Sequence, residues 1–309
     1  MPIKALRTPD DRFENLPGWG FAPNYIDDLK GYEGLRMHYV DEGPRDADVT
    51  FLCIHGEPSW AYLFRKMIPV FTGAGHRAIA VDLFGFGRSD KPVDDDVYTY
   101  HFHRGALLAF VEKLNLKNVC LVVQDWGGLL GLTLPMEAPE KYTRLIVMNT
   151  GLPGGEEAPE GFGAWRAFNR ANPDLAVGKL MKQATPILSE AEVAAYDAPF
   201  PDQSYKGGVR RFPELVMLKE KGADDLTPLS KEGLETSLKA RKFWTEDWSG
   251  DAYMAIGMQD PVLGPPAMHY LRSMIKDCPE PVEVAEAGHF VQEWGESIAR
   301  EALERFGIA

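Results

Sequence analysis

At positions 122–128 the chain reads VVQDWGG, an apolar β-branched run that stops at a carboxylate, an indole and two glycines. The pattern fits a strand that hands over to a helix through a tight turn and displays one polar side chain there. G-x-S-x-G proteins present a nucleophile in this way. Asp125 takes that position here, and Gly127 and Gly128 allow close backbone approach. Gln124 departs from the small residue usual just before it. The plainer alternative is that Asp125 serves as a helix N-cap, a common post for Asp. Three further stretches weigh against that alternative. IHGEPSW (54–60) follows an apolar run, as a His-Gly loop that supplies an oxyanion-hole N–H should. MQDPVLGP (258–265) puts Asp260 at the end of a late apolar run, and EAGHFVQE (286–293) puts His289 in the loop after the last one. Nucleophile, acid and histidine in that chain order match one of the known hydrolytic triads. No G-x-S-x-G occurs anywhere, so a serine nucleophile is disfavoured.

These residues need a scaffold that brings strand ends together. LRMHYVDEG (35–43) alternates apolar and polar residues, as a half-buried strand does. VTFLCIH (49–55), RAIAVDLF (77–84), NVCLVVQD (118–125) and RLIVMNT (144–150) are short apolar runs rich in β-branched residues. Between them lie YLFRKMIPVFTGAG, HFHRGALLAFVEKLNL and GGLLGLTLPMEAPEKY, each long enough for a helix. Alternating strands and helices imply crossover connections and an α/β fold with a mostly parallel central sheet flanked by helices. From about 153 the texture turns helical without a convincing strand, until AYMAIGMQD (252–260) and PVEVAEA (281–287) resume the strand pattern. The expected division is a main domain of residues 1–152 and 236–309, with an inserted helical cap at 153–235.

Composition narrows the partners. A net charge of −13 argues against nucleic acid, whose phosphates demand a basic face. Cys53, Cys120 and Cys278 are few and widely spaced, and read as small buried hydrophobes. No spacing suggests a metal site. GFGRSD (85–90) carries glycines after a strand but is not G-x-G-x-x-G, so no dinucleotide site is expected. The start lacks the apolar core of a signal peptide. No run approaches the ~20 apolar residues needed to span a bilayer. A cytoplasmic protein is expected, with the periplasm also open to it.

The motifs HGEPSWAYLFRKMIPVF, VDLFGFGRSDKP, VVQDWGG, EGFGAW and AGHFVQE resemble those of haloalkane dehalogenases of the α/β-hydrolase superfamily. The likeness runs from about residue 8 to 305. It is closest to the subfamily whose triad acid follows the penultimate strand and whose halide is held by two tryptophans. The resemblance implies hydrolysis of chloro-, bromo- and iodoalkanes to alcohol, halide and a proton. It assigns Asp125 as nucleophile, His289 as base and Asp260 as its orienting acid. It assigns Trp126 and Trp165 to the halide, and the backbone N–H groups of Glu57 and Trp126 to the oxyanion. Leu129, Phe162, Phe212, Pro213, Val216, Val262 and Leu263 align with positions that line the family's cavity. No cofactor or metal is implied; the partners are a small apolar halogenated substrate, water and halide, and the chain is expected to be a monomer. Two rivals stand beside this reading. A soluble epoxide hydrolase shares the His-Gly and Asp-Trp-Gly motifs and needs cap tyrosines, for which Tyr196 and Tyr205 are available. An α/β-hydrolase fold without activity, used as a binding module, is the other.

Overall fold

The β-branched runs assemble into one eight-stranded sheet in a computed structural model that describes residues 3–309. Its strands are β1 (Asn24–Ile26), β2 (Met37–Glu42), β3 (Thr50–Ile54), β4 (Arg77–Val81), β5 (Val119–Gln124), β6 (Tyr142–Met148), β7 (Asp251–Gly257) and β8 (Val282–Val284). The spatial order is β8-β7-β6-β5-β3-β4-β2-β1. All pairings from β4 through β8 are parallel, and β1 and β2 join antiparallel at one edge. Every residue of β3, β4 and β5 is buried, as expected where helices cover both faces of a parallel sheet. That is why these strands read as apolar runs; β2, expected half-buried from its alternation, is instead buried throughout Met37–Val40 and partly exposed only at Asp41 and Glu42. A small separate pair joins Ala5–Leu6 to Lys91–Pro92. The sheet is that of the α/β-hydrolase fold, and its parallel strands deliver the ends of β3, β5, β6 and β7 to one edge.

The helices are α1 (Ile68–Gly73), α2 (Tyr100–Lys113), α3 (Trp126–Gly131), α4 (Glu160–Ala171), α5 (Val177–Ala184), α6 (Glu190–Asp197), α7 (Gly207–Leu215), α8 (Pro228–Lys231), α9 (Leu234–Glu246), α10 (Pro265–Met274) and α11 (Gly295–Phe306). Two of the segments long enough for a helix are shorter than expected. The stretch after Asp125 gives only the six residues of α3 before two 3-10 turns, because Pro135 and Pro139 each break the backbone ladder. Likewise, Pro69 near the start of α1 separates it from a 3-10 turn at Ala61–Phe64. Between β6 and β7 the described residues hold helices and one isolated bridge, Glu157 to Lys219, but no strand. Helix α9 begins at Leu234, so the expected return to the main domain at 236 falls inside its first turn. No helix among the described residues is long and apolar enough to cross a membrane. The three cysteines are buried and unpaired.

One buried ion cluster ties the inserted helices to the strand loops. The Arg65 guanidinium grips both carboxylate oxygens of Glu293 (2.6 and 2.7 Å) and reaches Glu192 of α6 at 2.7 Å. Tyr196, also of α6, donates to Glu293 as well, and Lys66 lies 2.9 Å from the same carboxylate. Glu293 is four residues past His289, so the cluster joins the His289 loop to α6. Removing one partner of a buried pair strands the other charge away from water, which costs about 3–5 kcal/mol. Arg65→Met should lower unfolding stability by that amount in urea denaturation. An unchanged midpoint would show that the cluster contributes no net stabilisation.

Candidate active site

Asp125 sits between β5 and α3 with φ 49° and ψ −124°, a conformation that L-residues avoid. Neighbouring bonds hold it there. Its N–H donates to Asn149 O at 2.9 Å, and Thr150 Oγ1 donates to its carbonyl at 2.6 Å. A Cβ on Gly127 would collide with the carbonyl of Ile54, and one on Gly128 with the Thr150 side chain, so both glycines are required for close approach. The N-cap alternative does not describe this residue, because its side chain makes no capping bond to α3. Instead Oδ1 accepts the Glu57 N–H at 2.8 Å, across from the end of β3. His55 shapes that loop: Nδ1 bonds its neighbour's carbonyl, Gly56 O, at 2.8 Å, and Nε2 accepts Leu83 N–H at 3.0 Å.

His289 brings the other two groups to Asp125. Its Nε2 is 3.6 Å from Asp125 Oδ2, and its Nδ1 is 2.8 Å from Asp260 Oδ2. Asp260 is held in turn by Asn149 Nδ2 (2.9 Å) and the Val262 N–H (2.8 Å). Burial opposes charge on the Asp260 carboxyl, but His289 and these donors outweigh it and bring it down to about 2. Burial also opposes the His289 imidazolium, yet Asp260 and then Asp125 lift it to about 9. Asp125 behaves differently from what its helix-start position suggests. Burial pushes it above the usual carboxylate value, only partly offset by His289 and the N–H groups of Trp126 and Glu57. Helix α3 is too short to override that. The Glu57 carboxyl is pushed well up by burial and by neighbouring Asp125, and its Oε1 is buried without a partner.

These groups open into an apolar cavity of ≈ 620 Å³. Glu57, Asp125, Trp126, Asp260 and His289 lie in its wall. So do Leu129, Phe162, Trp165, Pro213, Val216, Val262 and Leu263. Phe212 does not, a correction to the expected lining. It is fully buried behind Trp126, packed edge-on against that indole at 4.7 Å and against Phe86 at 4.8 Å. The one-residue step to Pro213 on α7 separates cavity wall from support. Tyr196 and Tyr205 lie outside the cavity, and Tyr196 is engaged with Glu293. Trp60 and Trp244 donate their indole N–H to backbone carbonyls at 3.1 and 2.6 Å. Trp126 and Trp165 have no such acceptor among the described residues, and both face the cavity. No group of three or more His, Cys, Asp or Glu among the described residues is arranged to hold a metal.

Sequence reasoning missed Gln124, Asn149 and Thr150 as members of this site. Asn149 and Thr150 ended an apolar strand with two polar residues, the same signal that singled out Asp125. Gln124 was visible only as a departure from a pattern. The charge balance predicts a specific titration. His289 keeps its proton through neutral pH and releases it as pH rises through about 9. Asp260→Asn removes the strongest attraction, so the midpoint should fall toward the ordinary histidine value of about 6.5. Histidine NMR measures this, and a midpoint left near the parent value would refute the assigned cause.

The sequence profile of the alpha/beta hydrolase fold family matches residues 49–296. The chain is 45% identical over 307 residues to a haloalkane dehalogenase of Psychrobacter cryohalolentis, covering 96% of each. It is 41% identical to a haloalkane dehalogenase of Mycolicibacterium paratuberculosis, with 94% of each covered. The solved tetrameric structure of haloalkane dehalogenase DpaA from Paraglaciecola agarilytica NO2 superposes with a TM-score of 0.93 at 51% identity, covering 99% of this chain and 100% of that one. Identity at this level over nearly the full length, on this fold, makes the chain a member of the haloalkane dehalogenase family.

Proposed function

We propose that the protein hydrolyses carbon–halogen bonds of small chloro-, bromo- and iodoalkanes, with Asp125 as the nucleophile. The observation that carries the reading is one carboxylate in an apolar cavity, Oδ1 on the Glu57 N–H at 2.8 Å and Oδ2 facing His289 at 3.6 Å. In the first step an Asp125 oxygen attacks the carbon, the carbon–halogen bond breaks, and halide departs with the bonding pair. The product on the protein is an aspartyl alkyl ester. Halide is the anion of a strong acid and needs no proton, only donors. The indole N–H of Trp126 and Trp165 donates and cannot accept, and each such bond to an anion is worth roughly 1.5–3 kcal/mol. Because they act where charge develops, they lower the barrier.

The second step is ester hydrolysis. Esterification removes the Asp125 charge that helps hold the His289 proton, so that proton leaves to solvent. Neutral His289 then takes a proton from water as the water oxygen attacks the ester carbonyl. The oxyanion is met by the Glu57 and Trp126 N–H groups. Collapse expels the alcohol, which takes the proton back from His289, and Asp125 is left as a carboxyl that returns its proton to His289. The balance is haloalkane plus water giving alcohol, halide and one proton. An epoxide would require an acid on the leaving oxygen; the cap tyrosines Tyr196 and Tyr205 stand outside the cavity, while Tyr270 of α10 lies in its wall, so product analysis decides. The intact Asp125–His289–Asp260 set counts against an inactive binding module. A monomer is the reading from sequence, whereas the DpaA relative is tetrameric; sedimentation velocity decides between them.

Turnover of 1-bromobutane should release bromide and acid in equal amounts, with no diol from styrene oxide; diol formation would restore the epoxide reading. His289→Gln should stall after the first step and carry one alkyl group on Asp125 by mass spectrometry, and an unmodified protein would contradict the role of His289. Trp165→Phe should weaken bromide binding roughly ten- to hundredfold, the loss of one charge-assisted bond. An unaltered fluorescence titration with bromide would remove Trp165 from the site.

A further inference from the structure

Gln124 is the last residue of β5, fully buried and immediately before the elbow. Its amide nitrogen lies 3.1 Å from His289 O and 3.0 Å from His289 Nε2. The first contact fixes how the amide points, because its oxygen could not face a carbonyl oxygen at that distance. The NH2 group therefore has one hydrogen for the carbonyl and one for the ring. Nε2 can accept that second hydrogen only in the neutral imidazole, with the proton on Nδ1, where Asp260 receives it at 2.8 Å. The amide oxygen Oε1 is buried with no partner. Packing alone does not account for that, since an apolar side chain would fill the slot without leaving an acceptor unmet.

Nε2 thus stands between two groups with opposite demands. Asp125 Oδ2, 3.6 Å away, draws a proton onto it. Gln124 excludes one. The remaining neighbours do not settle the contest. Asp260 addresses Nδ1, Glu57 beside Asp125 is driven toward the neutral carboxyl, and Phe290 presents a ring edge with centroids 4.9 Å apart. We infer that Gln124 is a positioning residue that disfavours a proton on Nε2, so that His289 becomes a base once Asp125 is esterified. The inference rests on the reading of Asp125 as nucleophile. In the free protein the Asp125 carboxylate outweighs the amide and His289 is charged. When alkylation cancels that carboxylate, the amide remains and tips the ring to neutral. A neutral N–H···N bond is weak enough for the attacking water to displace from the lone pair.

Gln124→Met keeps the side-chain length and removes the donor. Single-turnover quench-flow with 1-bromobutane separates halide release from decay of the alkyl adduct. Halide release should stay within about twofold of the parent, because that step uses Asp125 and the two indoles and no base, while the pH midpoint of adduct decay should rise by about half a unit or more. An unmoved or lowered midpoint, or halide release slowed as much as decay, overturns the inference. Gln124→Asn, whose amide falls one methylene short, should act in the same direction if the Met variant does not fold. Absence of any adduct in the parent would sink the Asp125 reading itself, which this design exposes separately. A readout without turnover comes from Asp125→Asn, whose neutral side chain imitates the ester. Its His289 titration, followed by NMR of labelled histidine, should move upward when Gln124→Met is added. Equal midpoints would again overturn the role of Gln124.

Discussion

A carboxylate in an apolar cavity is the constraint on which the rest of this site depends. On the proposed reading Asp125 must be dry enough to attack carbon and still charged enough to do so, and these demands conflict. Burial raises its proton affinity, while His289 and two backbone N–H groups pull it back down. Each feature around it answers one side of that conflict. The strain of its positive-φ backbone, on the order of 1–3 kcal/mol, persists because Asn149 and Thr150 hold both its amide and its carbonyl. The two glycines that follow let the turn press against β3 and β6 without a side chain in the way.

The sheet converts this local arrangement into a site. Parallel strands end at one edge, so residues far apart in sequence meet there: Glu57 after β3, Asp125 after β5, Asn149 after β6, Asp260 after β7 and His289 after β8. Asn149 makes the economy plain. It donates to Asp260 while its backbone carbonyl accepts from Asp125, so one residue locates both carboxylates. The Arg65–Glu293 cluster extends the same framework to α6, which connects the His289 loop to the inserted helices. Those helices supply the other wall of the cavity, including Trp165.

What the sequence disclosed followed from which interactions are local. Asp125 and Asp260 were legible because a polar residue that closes an apolar run is an anomaly with few explanations, and His289 because it follows the last such run in the expected chain order. The sheet was legible because strands buried on both faces must be apolar throughout. Helix lengths were less so: Pro135, Pro139 and Pro69 cut two expected helices short, although all three prolines were in plain view. Phe212 and Pro213 show the limit more sharply. They are adjacent and both apolar, and only the rotation of α7 decides which faces the cavity and which supports Trp126. Gln124 escaped for a similar reason, since its contacts are with a residue 165 positions away.

The central claim is that a carboxylate oxygen of residue 125, and not water, displaces the halide. Single turnover in heavy-oxygen water with protein in excess tests it directly, followed by mass analysis of the peptide that contains Asp125 and of the alcohol. The account predicts label in the Asp125 carboxylate and unlabelled alcohol, because water attacks the ester carbonyl and the alcohol keeps an aspartyl oxygen. Label in the alcohol with none in the peptide would mean that water attacked the carbon directly, and the account would be wrong.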